Sequence, residues 1–186
     1  MKILFSKFKS VLILTVILFV TAWTLCAQSP DLDVLFKKRK KVEAVDATAL
    51  EAKILLEWSK SGSAAIDYLL TRARLAIDAQ DYRVALQHLN ALPDHAPEFS
   101  EDWNLSAVVL YQPDKAGLAL AAIERALALE PRHFRALEGL MFILEDAGLF
   151  MEAFEGFQMI EAIHPHSKIL STARDCLDAK TQGQAL

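Results

Sequence analysis

Residues 126–137 read ALALEPRHFRAL, the end of one helix, a Glu-Pro step at Glu130 and Pro131, and the start of another helix. Proline has no N–H to donate and disfavours helical geometry in the residue before it, so this step is a stop signal. The same signal recurs at a fixed interval: Pro97, Pro131 and Pro165 stand 34 residues apart. Other positions keep register with it. Twelve residues before each proline lies an alanine (Ala85, Ala119, Ala153). Eight before lies a large apolar residue (Leu89, Ile123, Phe157), and five before lie Leu92, Ala126 and Ile160. Leu69, Trp103 and Leu137 keep the same interval further back. Such a period marks stacked supersecondary units.

A methyl side chain at 85, 119 and 153 suits the close approach of two antiparallel helices, where anything larger overpacks by about 1–3 kcal/mol. Trp103 and Phe157 are expected to fill wider gaps, at a cost of about 3–5 kcal/mol if the ring is deleted. Gly148, after ILEDA, is the natural left-handed terminator of its helix, and Pro113 takes that role in YQPDK.

A 34-residue unit with Trp, Ala-x3-Phe and Pro at these spacings resembles the tetratricopeptide repeat. The resemblance covers residues 66–167 as three units, 66–99, 100–133 and 134–167, the first looser because Arg72 and Ala76 replace large apolar residues. It implies an all-α, right-handed solenoid of antiparallel helix pairs. The stretches LEWSKSGSAAIDYLLTRARLAI, HLNALPDHAPEFSEDWN and LEPRHFRALEGL, together with the N-terminal segment described below, are similar to small exported bacterial members of that family.

The flanks read as helices stacked on the two ends, since a solenoid must cover its end faces. HSKILSTARDCLDAK, in the tail 168–186 and just before it, places Ile169, Ala173, Cys176 and Leu177 on one stripe. In the segment 28–65, Thr48 and Glu51 have the spacing of a capping box opening ALEAKILLEWSK, with Leu50, Ile54 and Trp58 on one face and Gly62 closing the helix. The run Lys37-Lys38-Arg39-Lys40-Lys41 reads as a solvated helical face or as a patch drawn to an anionic membrane surface or acidic partner.

Residues 1–27 have the form of an export signal: Lys2, Lys7 and Lys9, an apolar run over 11–25, then small residues. Three fates stay open. They are cleavage after Ala22 or Ala27, retention as an inner-membrane anchor, and lipidation at Cys26, where Leu25 stands at a position that favours a small residue. Export, to a bacterial periplasm, is the expected localisation, with contact to the membrane only through this segment if it is kept.

Nothing in the sequence points to catalysis. The five histidines lack the spacing of a zinc site, and His133 and His166 read as ordinary loop residues. There is no G-x-S-x-G nucleophile signature and, with six glycines, no phosphate-cradling loop. A formal charge of −4 offers no nucleic-acid platform. No metal and no cofactor is expected. The resemblance instead implies a non-enzymatic module binding a protein or peptide segment in a concave groove. Its usual groove positions fall on Arg74 and Ile77 in unit one, Asn104, Val108 and Tyr111 in unit two, and Arg135, Glu138, Phe142 and Glu145 in unit three. The carboxylate clamp of some family members would require other residues than Leu70, Arg74, Leu105, Arg135 and Gly139, which stand at its sites. The competing reading is a membrane-tethered structural subunit of an envelope complex that works through its ends or its basic segment.

Overall fold

A computed structural model describes residues 30–41, 44–111 and 115–184. Residues 1–27, read above as an export signal, and Pro113 lie outside these residues, as does the side chain of Cys176. Among the described residues there are only helices: α1 (Pro30–Arg39), α2 (Ala44–Trp58), α3 (Ala64–Asp78), α4 (Tyr82–Leu89), α5 (Ser100–Leu110), α6 (Ala116–Leu129), α7 (Phe134–Asp146), α8 (Phe150–Ile163) and α9 (Lys168–Gln184). None of them is long and apolar enough to cross a membrane.

The pairs α3/α4, α5/α6 and α7/α8 are the three repeat units, and each stacks on the next. Their first helices, α3, α5 and α7, lie side by side and form the inner face of an all-α solenoid. The register read from the prolines is the register of the core. Ala85, Ala119 and Ala153 are each 0% exposed, within the close-packed core of each helix pair. Leu89, Ile123 and Phe157 fill the layer beside them, and Leu92, Ala126 and Ile160 the next. Trp103 is only half-buried, and its indole N–H donates to the Pro97 carbonyl at 3.3 Å, tying α5 to the preceding proline turn. Gly148 has φ +75°, and the bonds Gly148 N–H to Glu145 C=O and Leu149 N–H to Leu144 C=O make a Schellman end for α7.

The two flanks behave differently. Helix α9 continues the stack, burying Leu170, Ala173 and Leu177 against Ala153, Phe157 and Ile160 of α8. Helices α1 and α2 form a hairpin that does not stack on the first unit. It folds across the inner face and buries Leu32, Phe36, Ile54 and Trp58 against Phe134, the first residue of unit three. The expected N-terminal end cap is thus corrected. The outer face of α3 stays open, with Tyr68 and Leu75 exposed. The capping box is corrected too: α2 begins at Ala44, so Thr48 lies inside the helix and exposed, while Glu51 turns toward the repeats.

Candidate binding cleft

Between α2 and the inner face runs a cleft of about 810 Å³. Helix α2 supplies one wall through Ala52, Leu55 and Leu56, with Ser59 just past its end; α3, α5 and α7 supply the other. The repeat geometry decides which side chains meet here. Residues at equivalent positions of successive first helices project to the same side, so Arg74, Val108 and Phe142 form one row and Asn104 and Glu138 another. Six of the nine expected groove residues line this cleft: Arg74, Asn104, Val108, Arg135, Glu138 and Phe142. Tyr111 lines an adjoining apolar recess of about 280 Å³ with Val108, Phe142 and Ile143. Of the other two groove positions, Ile77 packs against the core of unit one, and Glu145 accepts from Lys180 of α9 at 2.7 Å.

The polar members of this set are engaged within the chain. Arg74 donates to Glu101 at 2.5 Å and to the Ser59 hydroxyl at 2.7 Å. Arg135 meets Glu51 of α2 at 3.0 Å and Glu138 at 3.5 Å. Tyr111 donates to Asp146 at 3.0 Å. Asn104, one of the expected groove residues, is buried and donates to Glu101 at 3.2 Å. Glu138 is buried as well and accepts from Ser167 at 2.9 Å. Burial pushes its carboxyl upward, against the opposing pull of Arg135 and Ser167. The surface left for a ligand is therefore apolar: Leu56, Val108 and Phe142 are each about half exposed to water.

Beneath the cleft lies a buried polar layer that periodicity does not announce. Glu101 is 3% exposed, and its carboxylate receives Arg74, Asn104 and His133, whose Nε2 lies 2.9 Å away. Burial alone would raise its pKa, yet the hydrogen bonds and charges of His133 and Arg74 together hold it below the usual value. His133 accepts the Ala136 N–H at Nδ1 and so caps α7, which leaves Nε2 to donate to Glu101. Beside this network, Asp102 is fully buried with neither carboxylate oxygen hydrogen-bonded. Burial, then the charge of Glu101, pushes its pKa up to about 7.

His133 is a correction to the loop reading, at 0% exposed, whereas His166 is exposed; His164, on the other side of Pro165, is 3% exposed. The His133 ring stacks on Trp58 with centroids 4.1 Å apart, and the His164 ring stacks on Phe134 at 4.7 Å. The basic run is corrected in one residue. Lys37, Lys38, Lys40 and Lys41 are exposed, but Arg39 is 0% exposed, over the Phe134 ring and 3.8 Å from Glu51. Burial lowers its pKa to about 10, partly offset by Glu51. Among the described residues no group of three or more His, Cys, Asp or Glu side chains is placed to hold a metal ion.

Two comparisons bear on this arrangement. No protein-family model matches the chain. A TPR repeat-containing protein of Rhizobium etli is 35% identical over 130 residues, which cover 68% of this chain and 64% of the relative. In three dimensions the chain is similar to the TPR2B domain of yeast Sti1 in its complex with pHsp70, with a TM-score of 0.56 over 66% of this chain and 99% of that one. This chain is a tetratricopeptide-repeat protein. The likeness to the Sti1 domain, at 18% identity, is one of fold alone. The chain spans about two thirds of the length of its Rhizobium relative, 64%. Family and fold are generally those of non-enzymatic scaffolds that bind other proteins. Two of the clamp positions in this repeat protein, Arg74 and Arg135, already hold the chain's own carboxylates, and a third, Leu70, is core.

Proposed function

We propose that this protein is an exported, non-enzymatic adaptor that captures a peptide or protein segment on the inner face of its solenoid, in the bacterial periplasm. The observation that carries the reading is the cleft itself. Its floor offers half-exposed Val108 and Phe142, its roof offers Leu56, and its charged groups are already paired. A surface of that kind gains most by covering apolar side chains, with Arg74 and Arg135 at its edges to fix orientation. The neighbour that was solved with pHsp70 supports a peptide or protein as the kind of ligand. Export rests on the sequence of residues 1–27.

A photo-crosslinker at Val108, in living cells, tests the reading. The buried Asn104 is a poor site for such a probe. One recurrent protein captured there, and lost on Phe142→Asp, is the expected result. Equal capture of many proteins, or of none, would remove the adaptor. A second reading, a membrane-tethered structural subunit, is favoured by the exposed Lys37, Lys38, Lys40 and Lys41 on the hairpin. The intact mass of the protein recovered from cells separates the two: loss of residues through Ala22 or Ala27 ends the tether.

A further inference from the structure

The contacts of α2 show what the inner face accepts. Three side chains on one stripe seat this helix. Glu51 lies 3.0 Å from Arg135 and 3.3 Å from His164. Ile54, three residues on, is 0% exposed against Phe134. Trp58, seven residues on, stacks on His133 at 4.1 Å and 7° and meets the Phe134 ring at 4.9 Å. Residues at i, i+3 and i+7 share one helix face, so this is a complete helix-in-groove contact made within one chain.

The contact is also poorly matched. Among the described residues, Arg39, Trp58 and His164 each hold buried side-chain nitrogens with no hydrogen bond: all three guanidinium nitrogens, the indole N–H and both imidazole nitrogens. Buried donors without acceptors are costly, and a desolvated guanidinium most of all. Among the described residues the backbone of α2 packs closely along its length with α1 and with no repeat helix, so side chains and not intimate helix packing hold the hairpin in place. It is joined to α3 through a short connection containing Gly62 at φ +84°, a residue with open space around it. On the face beside this stripe α2 turns Ala52 and Leu56 into the cleft, where an arriving segment would meet them.

We infer that α2 is the resident occupant of a helix-docking face, and that a partner exchanges for it with an amphipathic helix of the same pattern: a carboxylate at i, an aliphatic residue at i+3 and an aromatic ring at i+7. The carboxylate is recognised by Arg135 and His164, the aliphatic side chain by Phe134, and the ring by His133. This rests on the adaptor reading and specifies its partner. The hairpin keeps the face covered until a helix with better-satisfied contacts takes its place.

The probe is a fluorescein-labelled peptide with the sequence of residues 44–60, AVDATALEAKILLEWSK, titrated by anisotropy against the full chain. Removing Glu51 strands Arg39 beside Arg135 and His164, so Glu51→Ala is expected to release the hairpin and bind the peptide at least about tenfold more tightly than the wild type. Trp58→Ala is a second, independent way to release it. A peptide with alanine at the Glu51 and Trp58 positions is expected to bind neither protein. Hydrogen exchange gives the second readout. In Glu51→Ala, residues 44–58 exchange at least about tenfold faster while 119–126 and 153–160 are unchanged; in Arg39→Met, which removes the desolvated charge, 44–58 exchange more slowly. Equal peptide binding to wild type and both released variants would overturn the inference, as would exchange rising equally in hairpin and repeats. A concentration-dependent dimer of Glu51→Ala would assign the face to a second copy's hairpin instead. If the peptide fails on both released variants while the Val108 crosslink still captures one protein, the docking pattern falls and the adaptor stands.

Discussion

The repeat interior and the seam beneath the hairpin are built on opposite terms. In the interior, Ala85, Ala119 and Ala153 lie one turn before Leu89, Ile123 and Phe157 on the same helices, in apolar layers. In the seam, Phe36, Ile54, Trp58 and Phe134 are packed together with Arg39, Glu51, His133 and His164, and several of those polar groups lack hydrogen bonds. The interior is built for permanence. The seam balances apolar gain against desolvated charge, and stability is distributed unevenly between the two.

The largest effect should come from the interior. Phe157→Ala removes a ring that is 1% exposed, at a cost of about 3–5 kcal/mol, and lowers the main thermal transition by roughly 10 °C or more. Trp58→Ala removes a ring of similar size from the seam, and there the hairpin can detach instead of leaving a cavity. The main transition is then expected to move by less than half as much, with the loss confined to residues 44–58 in hydrogen exchange. A Trp58→Ala variant that melts as low as Phe157→Ala would erase the distinction. Ala119→Leu sharpens it from the other side, by overpacking the interior at about 1–3 kcal/mol.

The difference also explains what could be read in advance. A stop signal, a methyl at a close approach and a large residue beside it are local demands repeated each 34 residues, so the interior was written in the chain three times over. The inner wall of the cleft followed from it, because repeat position sets which side chains line the inner face, whereas the wall supplied by α2 did not. The seam is written once. Its ties join Asp33 to Arg132 and Glu51 to Arg135, partners 99 and 84 residues apart in the chain. The apolar stripe of α2 would equally suit stacking on α3, and nothing local distinguishes Arg39 from the four lysines around it. Asn104 was misjudged for a related reason. Repeat position gave its direction, while Glu101, one turn earlier and itself held by Arg74 and His133, draws the amide inward. The histidines at the unit ends were the available clue, standing at 133 and 164 within two residues of the prolines, each next to one large apolar residue, Phe134 or Ile163.

Polar burial within the repeats gives a pH test of the same comparison. Asp102 carries a pKa raised from 3.8 to about 7. A raised carboxylate favours the folded state fully at low pH, below about 4, and that contribution is lost as pH climbs through about 7. Glu138 shifts in the same direction, whereas Glu101, depressed, loses its contribution only at the acid end. Between pH 5 and pH 8 the wild type should therefore lose stability, and Asp102→Asn should lose less, by about 1–3 kcal/mol in urea midpoints converted to free energy. An unchanged slope would mean that the Asp102 carboxylate finds a partner in solution.

The smallest effect separates two units of identical design. Residues 80 and 148 occupy the same position in units one and three, and both helices end in the same pair of bonds: Gln80 N–H to Ile77 C=O and Asp81 N–H to Ala76 C=O in one, and their counterparts at Gly148 and Leu149 in the other. The motif needs a left-handed residue, and φ is +58° at Gln80 and +75° at Gly148. Glycine adopts that geometry freely, whereas a side chain is strained there. Gln80→Gly should stabilise the protein by about 0.5–1 kcal/mol and Gly148→Ala should destabilise it by a similar amount, less what each change does to the entropy of the unfolded chain. Because Gln80 lies in the unit whose outer face is left open, the gain is expected as slower hydrogen exchange in residues 64–89 with no change in 150–163. A gain spread evenly over both units would mean that the solenoid opens only as a whole, and that the seam, not the end unit, is its one place of local release.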